Sequence, residues 1–90
     1  MVKESPRVSE NPVDSENAGK ELILHNDDFN TFEYVIDTLI EVCDHQPEQA
    51  EQCAFVAHTK GKCGVKKGDL SLLRSMQDEM IRRGLTTSIE

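Results

Sequence analysis

The feature that most constrains this chain is a joint. A short apolar run, Leu22-Ile23-Leu24, meets a strongly amphipathic segment that starts near Thr31, and only His25-Asn26-Asp27-Asp28-Phe29-Asn30 separates them. Glu21 to His25 reads as a half-buried strand. From Phe32 onward Val35, Ile36, Leu39, Ile40 and Cys43 recur at helical spacing, opposite Glu33, Asp37, Glu41 and Asp44. Strand and helix therefore share one corner, and that corner holds neighbouring carboxylates. Asn30 is a suitable N-cap, with Glu33 three positions later to complete a capping box. Asp27 and Asp28 fit an Asx-type turn in a solvated loop. They fit equally a set of acceptors for a cationic donor, and the helix macrodipole would ease their repulsion.

The remaining elements follow in order. Pro47 opens a second helix at its favoured first position, and Ala50, Cys53, Ala54 and Ala57 give it a narrow stripe of small residues before Lys60 and Gly61 end it. Lys62 to Lys66 reads as a second strand. A third helix runs from Asp69 to Arg83 with Leu70, Leu73, Met76, Met80 and Ile81 as its apolar stripe, widened by Leu72, and Gly84 stops it. Leu85 to Ile89 alternates as a closing strand. The order β-α-α-β-α-β predicts an α+β fold, a small single domain with a three-stranded antiparallel sheet and three helices. Residues 20–90 form that domain. Residues 1–19, with two prolines, many polar residues and no aromatic, read as a flexible N-terminal extension.

Charge narrows the partners. The net charge is −7, but residues 21–58 contain no Lys or Arg against nine Asp and Glu, while residues 59–90 contain seven against four. An acidic middle with few aromatics predicts no nucleic-acid binding, because phosphates would be repelled, and a cationic ligand instead. No apolar run reaches membrane-spanning length and residues 1–19 hold no signal-like apolar core, so a cytoplasmic protein without membrane association is expected. Cys43, Cys53 and Cys63 are an odd number and are expected as reduced thiols. They and His25, His45 and His58 lack C-x-x-C or H-x-x-x-H spacing, so no metal and no cofactor are expected. No nucleophile elbow or glycine-rich phosphate loop is present, and a non-enzyme is expected. A small Cys/His metal-binding or thiol-redox protein is the alternative. His58, at the end of the small-residue stripe, is either a satisfied structural histidine or a second contact for the ligand of the acidic turn.

The run from Leu22 to Ile36, LILHNDDFNTFEYVI, resembles the opening of the ClpS family, and Ala57-His58-Thr59-Lys60-Gly61 and Cys63-Gly64-Val65 match it further on. The likeness extends from Lys20 to Glu90. It implies an adaptor of the ATP-dependent protease ClpAP that recognises N-degrons, meaning a free α-amine followed by a bulky first side chain, Leu, Phe, Tyr or Trp. By matching positions, Asn26, Asp27 and His58, with Asp28 beside them, would hold the α-amine. Asn30, Phe32, Val35, Ala54, Ala57 and Leu85 would wall the hydrophobic pocket. Asp69 and Arg74 would dock on the N-terminal domain of a ClpA-type unfoldase, and N-degron substrate proteins and peptides would be the other partners. Several features depart from the family pattern: Asn30 and Thr31 where Thr and Pro are common, Phe32 for Met, Ala54 and Ala57 for bulkier residues, and a trimmed loop after His58 and third helix. An aromatic wall opposite a wall stripped of bulk should favour Phe, Tyr or Trp at least as much as Leu, with Val and Ile poor.

Overall fold

The computed structural model describes residues 19–90; the extension expected over residues 1–19 lies, Gly19 apart, outside them. The chain forms β1 (Lys20–His25), α1 (Phe32–Cys43), α2 (Pro47–Lys60), β2 (Lys62–Gly68), α3 (Leu70–Arg82) and β3 (Thr87–Ile89). This is the expected order. The sheet is antiparallel throughout, with β1 between β2 and β3. The most apolar strand takes the centre, where Leu22, Ile23 and Leu24 are all buried. In the β1–β2 register Leu22 faces Lys66 but Ile23 faces Gly64, so Val65 is an extra residue on β2. That bulge leaves Val65 in the core with Leu22 and Leu24, on the face against which the helices pack. Among the described residues no helix is long and apolar enough to cross a membrane.

Local chemistry explains most of the boundaries, and several expectations need correcting. Thr31, not Asn30, caps α1: its Oγ1 accepts from Tyr34 N at 3.1 Å. Asn30 is unavailable because its side chain is bonded elsewhere, and the capping box with Glu33 does not form. Asp69 caps α3 by accepting from Leu72 N at 3.0 Å. The end of α3 is a Schellman motif, in which Gly84 sits at φ 88°, its N–H donates to Ile81 O, and Leu85 N–H donates to Met80 O. Leu85 therefore closes a helix rather than opening a strand, and β3 begins at Thr87, not Leu85. Ile81 and Leu72, expected in the apolar stripe of α3, are exposed at 54% and 41%. A thirteen-residue helix on a three-stranded sheet buries one narrow face, which Leu73 and Met80 fill.

The core is aliphatic and small: Leu22, Leu24, Leu39, Cys43, Ala50, Cys53, Ala57, Val65, Leu73, Met80 and Leu85. All three phenylalanines lie outside it, Phe29 at 95%, Phe32 at 42% and Phe55 at 55% exposure. The small stripe of α2 lets it approach α1 and β2 closely. His45, in the α1–α2 link, is buried and its Nε2 meets Val65 O at 2.7 Å, which ties that link to the bulged strand.

Two substitutions test this assignment by denaturant unfolding. Leu73→Ala, at a fully buried site, should cost about 2–5 kcal/mol. Thr31→Ala should cost about 0.5–2 kcal/mol through the lost cap. A neutral Thr31→Ala would return the cap to Asn30.

Candidate functional site

Three chain reversals converge where β1 meets α1. Asn26 N–H donates to Gly61 O at 2.9 Å, which fastens the end of β1 to the C-cap of α2. Asp27 then folds the turn onto itself: Oδ1 accepts from Phe29 N and Asn30 N, each at 2.9 Å, and Oδ2 accepts from Asn30 Nδ2 at 3.0 Å. The same Asn30 Nδ2 donates to Gly84 O at 3.0 Å. One amide group thus joins the acidic turn to the Schellman corner of α3. The Asx-type turn is real, and it is part of the site.

Under this joint lies a cavity of about 430 Å³, lined by Leu24, His25, Asn26, Asp27, Asp28, Asn30, Phe32, Val35, Ala54, Ala57 and His58. The polar groups come from the end of β1, the turn and the last turn of α2. The apolar ones come from Leu24 of β1, the first turn of α1 and the small stripe of α2. Among the described residues no Lys or Arg lines it, so its field is negative at neutral pH. Burial pushes the Asp27 carboxyl up, but its three hydrogen bonds outweigh this and hold it below its ordinary value of 3.8. It is therefore an anion, and Oδ2, which accepts a single bond within the turn, has a second lone pair for another donor. Asn26, Asp28 and His58 are exposed around it. His25 Nε2 lies 2.7 Å from Ser88 Oγ, which ties this ring to β3. Such an arrangement can hold a cationic head among acceptors and an apolar side chain behind it.

Every residue expected at the amine site or pocket wall lines this cavity except Leu85. Leu85 is buried in the core, because its N–H is committed to Met80 O and its side chain packs beneath the corner. Leu24 and His25 are lining residues that sequence reasoning missed; their position, immediately before the turn, was the available signal. Asp69 and Arg74 lie elsewhere: Asp69 is the cap of α3, and Arg74 is an exposed side chain beside Leu70, Ser71, Ser75 and Asp78. Phe32 is shared with an adjoining groove formed by Glu33, Ile36, Glu48, Glu51, Gln52 and Phe55. The cysteines and histidines make no metal-like group: among the described residues no three His, Cys, Asp or Glu side chains come together as one.

A small α+β domain of the same fold occurs in a solved structure, that of Agrobacterium tumefaciens ClpS2 bound to L-phenylalaninamide. The fold matches it with a TM-score of 0.71 at 20% identity, over 82% of this chain and 96% of that one. The family model described as "ATP-dependent Clp protease adaptor protein ClpS" matches residues 16–87, and the chain belongs to the ClpS family. The Clp protease adapter protein ClpS of Synechococcus elongatus is 37% identical over 71 residues, 77% of this chain and 74% of that protein. That of Nitratidesulfovibrio vulgaris strain Miyazaki F is 38% identical over 52 residues, 56% of this chain and 52% of that protein. The chain thus spans about half the length of the Nitratidesulfovibrio relative.

The hydrogen bonds to Asp27 make a titration prediction. Its folded pKa is depressed, so the turn's contribution to stability is complete above the unfolded carboxyl pKa and is lost as pH falls through the folded one. Asn30→Ala removes the side-chain donor and should move the Asp27 midpoint up toward 3.8, read by NMR titration of the carboxyl carbon. An unmoved midpoint would show that the backbone N–H groups alone depress it.

Proposed function

We propose that this chain is an N-degron adaptor that captures a protein's first residue in the cavity and delivers that protein to the ClpAP protease. What carries the reading is one juxtaposition: a negative rim of Asn26, Asp27, Asp28 and His58 over an apolar interior of Leu24, Phe32, Val35, Ala54 and Ala57. An α-ammonium is a point cation with three donors, and it suits a rim of oriented acceptors. A bulky side chain on the same carbon reaches inward. The volume of about 430 Å³ lies within the range of about 300–1,000 Å³ typical of small-ligand sites. L-phenylalaninamide, the ligand in the ClpS2 structure, has this form: a free α-amine and an aromatic side chain.

The role is binding, not catalysis. The exposed end of α3 that carries Asp69 and Arg74 would dock on the N-terminal domain of a ClpA-type unfoldase. Phe32, at the mouth, gives aromatic first residues a ring to stack on, worth about 0.5–1.5 kcal/mol beyond area. Val and Ile are disfavoured because branching at Cβ collides near the rim.

Calorimetry with peptides that differ only in their first residue tests this. Phe, Tyr and Trp should bind at least as well as Leu, with Val and Ile poor. Acetylating the amine should abolish binding, and affinity should fall as pH rises past about 8, the α-amine pKa. Asp27→Ala should cost about 2–5 kcal/mol of binding. Since Asp27 also builds the turn, the acetylated peptide is the cleaner probe. Equal binding of acetylated and free peptide would sink the reading.

A further inference from the structure

Cys53, in the middle of α2, and Cys63, the second residue of β2, are ten residues apart in sequence and their Sγ atoms are 2.7 Å apart. The C-cap at Gly61, φ 95°, reverses the chain so that β2 runs back beside the helix. Both sulfurs also face one carbonyl, Gly64 O, at 3.3 Å from Cys53 and 3.5 Å from Cys63. No His, Asp or Glu joins them as a third ligand in a metal-like group among the described residues. Two sulfurs in contact with no third ligand are placed for a sulfur–sulfur bond. The Sγ separation exceeds a disulfide's length of about 2.03–2.05 Å by only about 0.7 Å.

We propose that Cys53 and Cys63 are a modification site, a reversible disulfide that ties α2 to β2 and forms by exchange with a small-molecule disulfide such as oxidised glutathione. Cys63 is half-buried and reaches solvent, whereas Cys53 is buried. Burial and the hydrogen bond with Cys63 push the Cys53 thiol up, so Cys53 is the resolving partner, not the entry point. Cys63 loses its proton to water and its sulfur attacks one sulfur of the glutathione disulfide. That bond breaks and one glutathione leaves as thiolate, taking up a proton. Cys53 then loses its proton and attacks Cys63 Sγ, expelling the second glutathione. Two protein thiols are oxidised by two electrons, and one glutathione disulfide is reduced to two thiols.

The bridge lies behind the cavity wall. Cys53 precedes Ala54 on α2, and Cys63 is paired with Leu24 across the β1–β2 ladder. Both neighbours line the cavity. Cys43 serves as an internal control. It is buried, its thiol donates to Met80 Sδ at 3.8 Å, and burial pushes it up to about 11.

The test needs no peptide, so its outcome is independent of the proposed function. The folded chain is equilibrated with excess oxidised glutathione, then analysed by intact mass, proteolytic mapping and thermal unfolding. The expected product has lost two hydrogen atoms, links the Cys53 and Cys63 peptides, and melts on the order of 10 °C higher. Dithiothreitol should reverse all three changes. Cys53→Ser should stop the reaction at a glutathione adduct on Cys63, and Cys63→Ser should prevent both. If Cys53→Ser does not fold, the wild-type map and Cys63→Ser decide. A lasting glutathione adduct on wild-type Cys63, two thiols left unreacted, or a bridge through Cys43 would overturn the proposal.

Discussion

The side-chain amide of Asn30 is the contact on which this molecule's arrangement depends. It donates to Asp27 on its own turn and to Gly84 fifty-four residues away. The first bond shapes the acidic turn; the second fixes that turn against the corner where α3 gives way to β3. With Asn26 N–H held by Gly61 O, the starts and ends of four elements meet in one region. Each bond is worth only about 0.5–1.5 kcal/mol net. Their effect is geometric: they set the distance between the acceptors of the turn and the first turn of α1.

The core shows what this arrangement leaves to the surface. About 70 residues make a marginal core, and aromatic side chains would be its most effective filling. This core instead uses leucines, alanines, cysteines, a valine and a methionine, while every phenylalanine is exposed. Phe32 and Phe55 line the cavity mouth or the groove beside it. The apolar area that could have stabilised the fold lies instead at the cavity mouth and the groove beside it.

Charge is divided in the same way. The basic last third of the chain folds back on the acidic middle through Arg83, which pairs with Glu41 of α1 and with Glu79 on its own helix. Such exposed pairs add little stability. Their position matters more, because they meet the acidic face of α1 at its far end. Among the described residues the carboxylates of the turn have no such partner lining the cavity.

Sequence alone determined the six elements and their order, because caps, prolines and periodicities act within a few residues of one another. It determined the acidic turn for the same reason. Resemblance to a family then assigned most of the cavity lining, since Asn26, Asp27, Phe32 and Val35 lie within one strand–turn–helix unit. The tertiary structure decided whatever depends on a distant partner. Asn30 looked like a cap, but Gly84 took its amide and Thr31 became the cap. Leu85 looked like a pocket wall, but a bond to Met80 O drew it into the core. Cys53 and Cys63 carried no motif spacing, yet the reversal at Gly61 brought their sulfurs into contact. Local pattern records the φ/ψ and burial preferences of neighbouring residues. Which of two acceptors wins a donor, or which sulfurs touch, is settled only when the whole chain has packed.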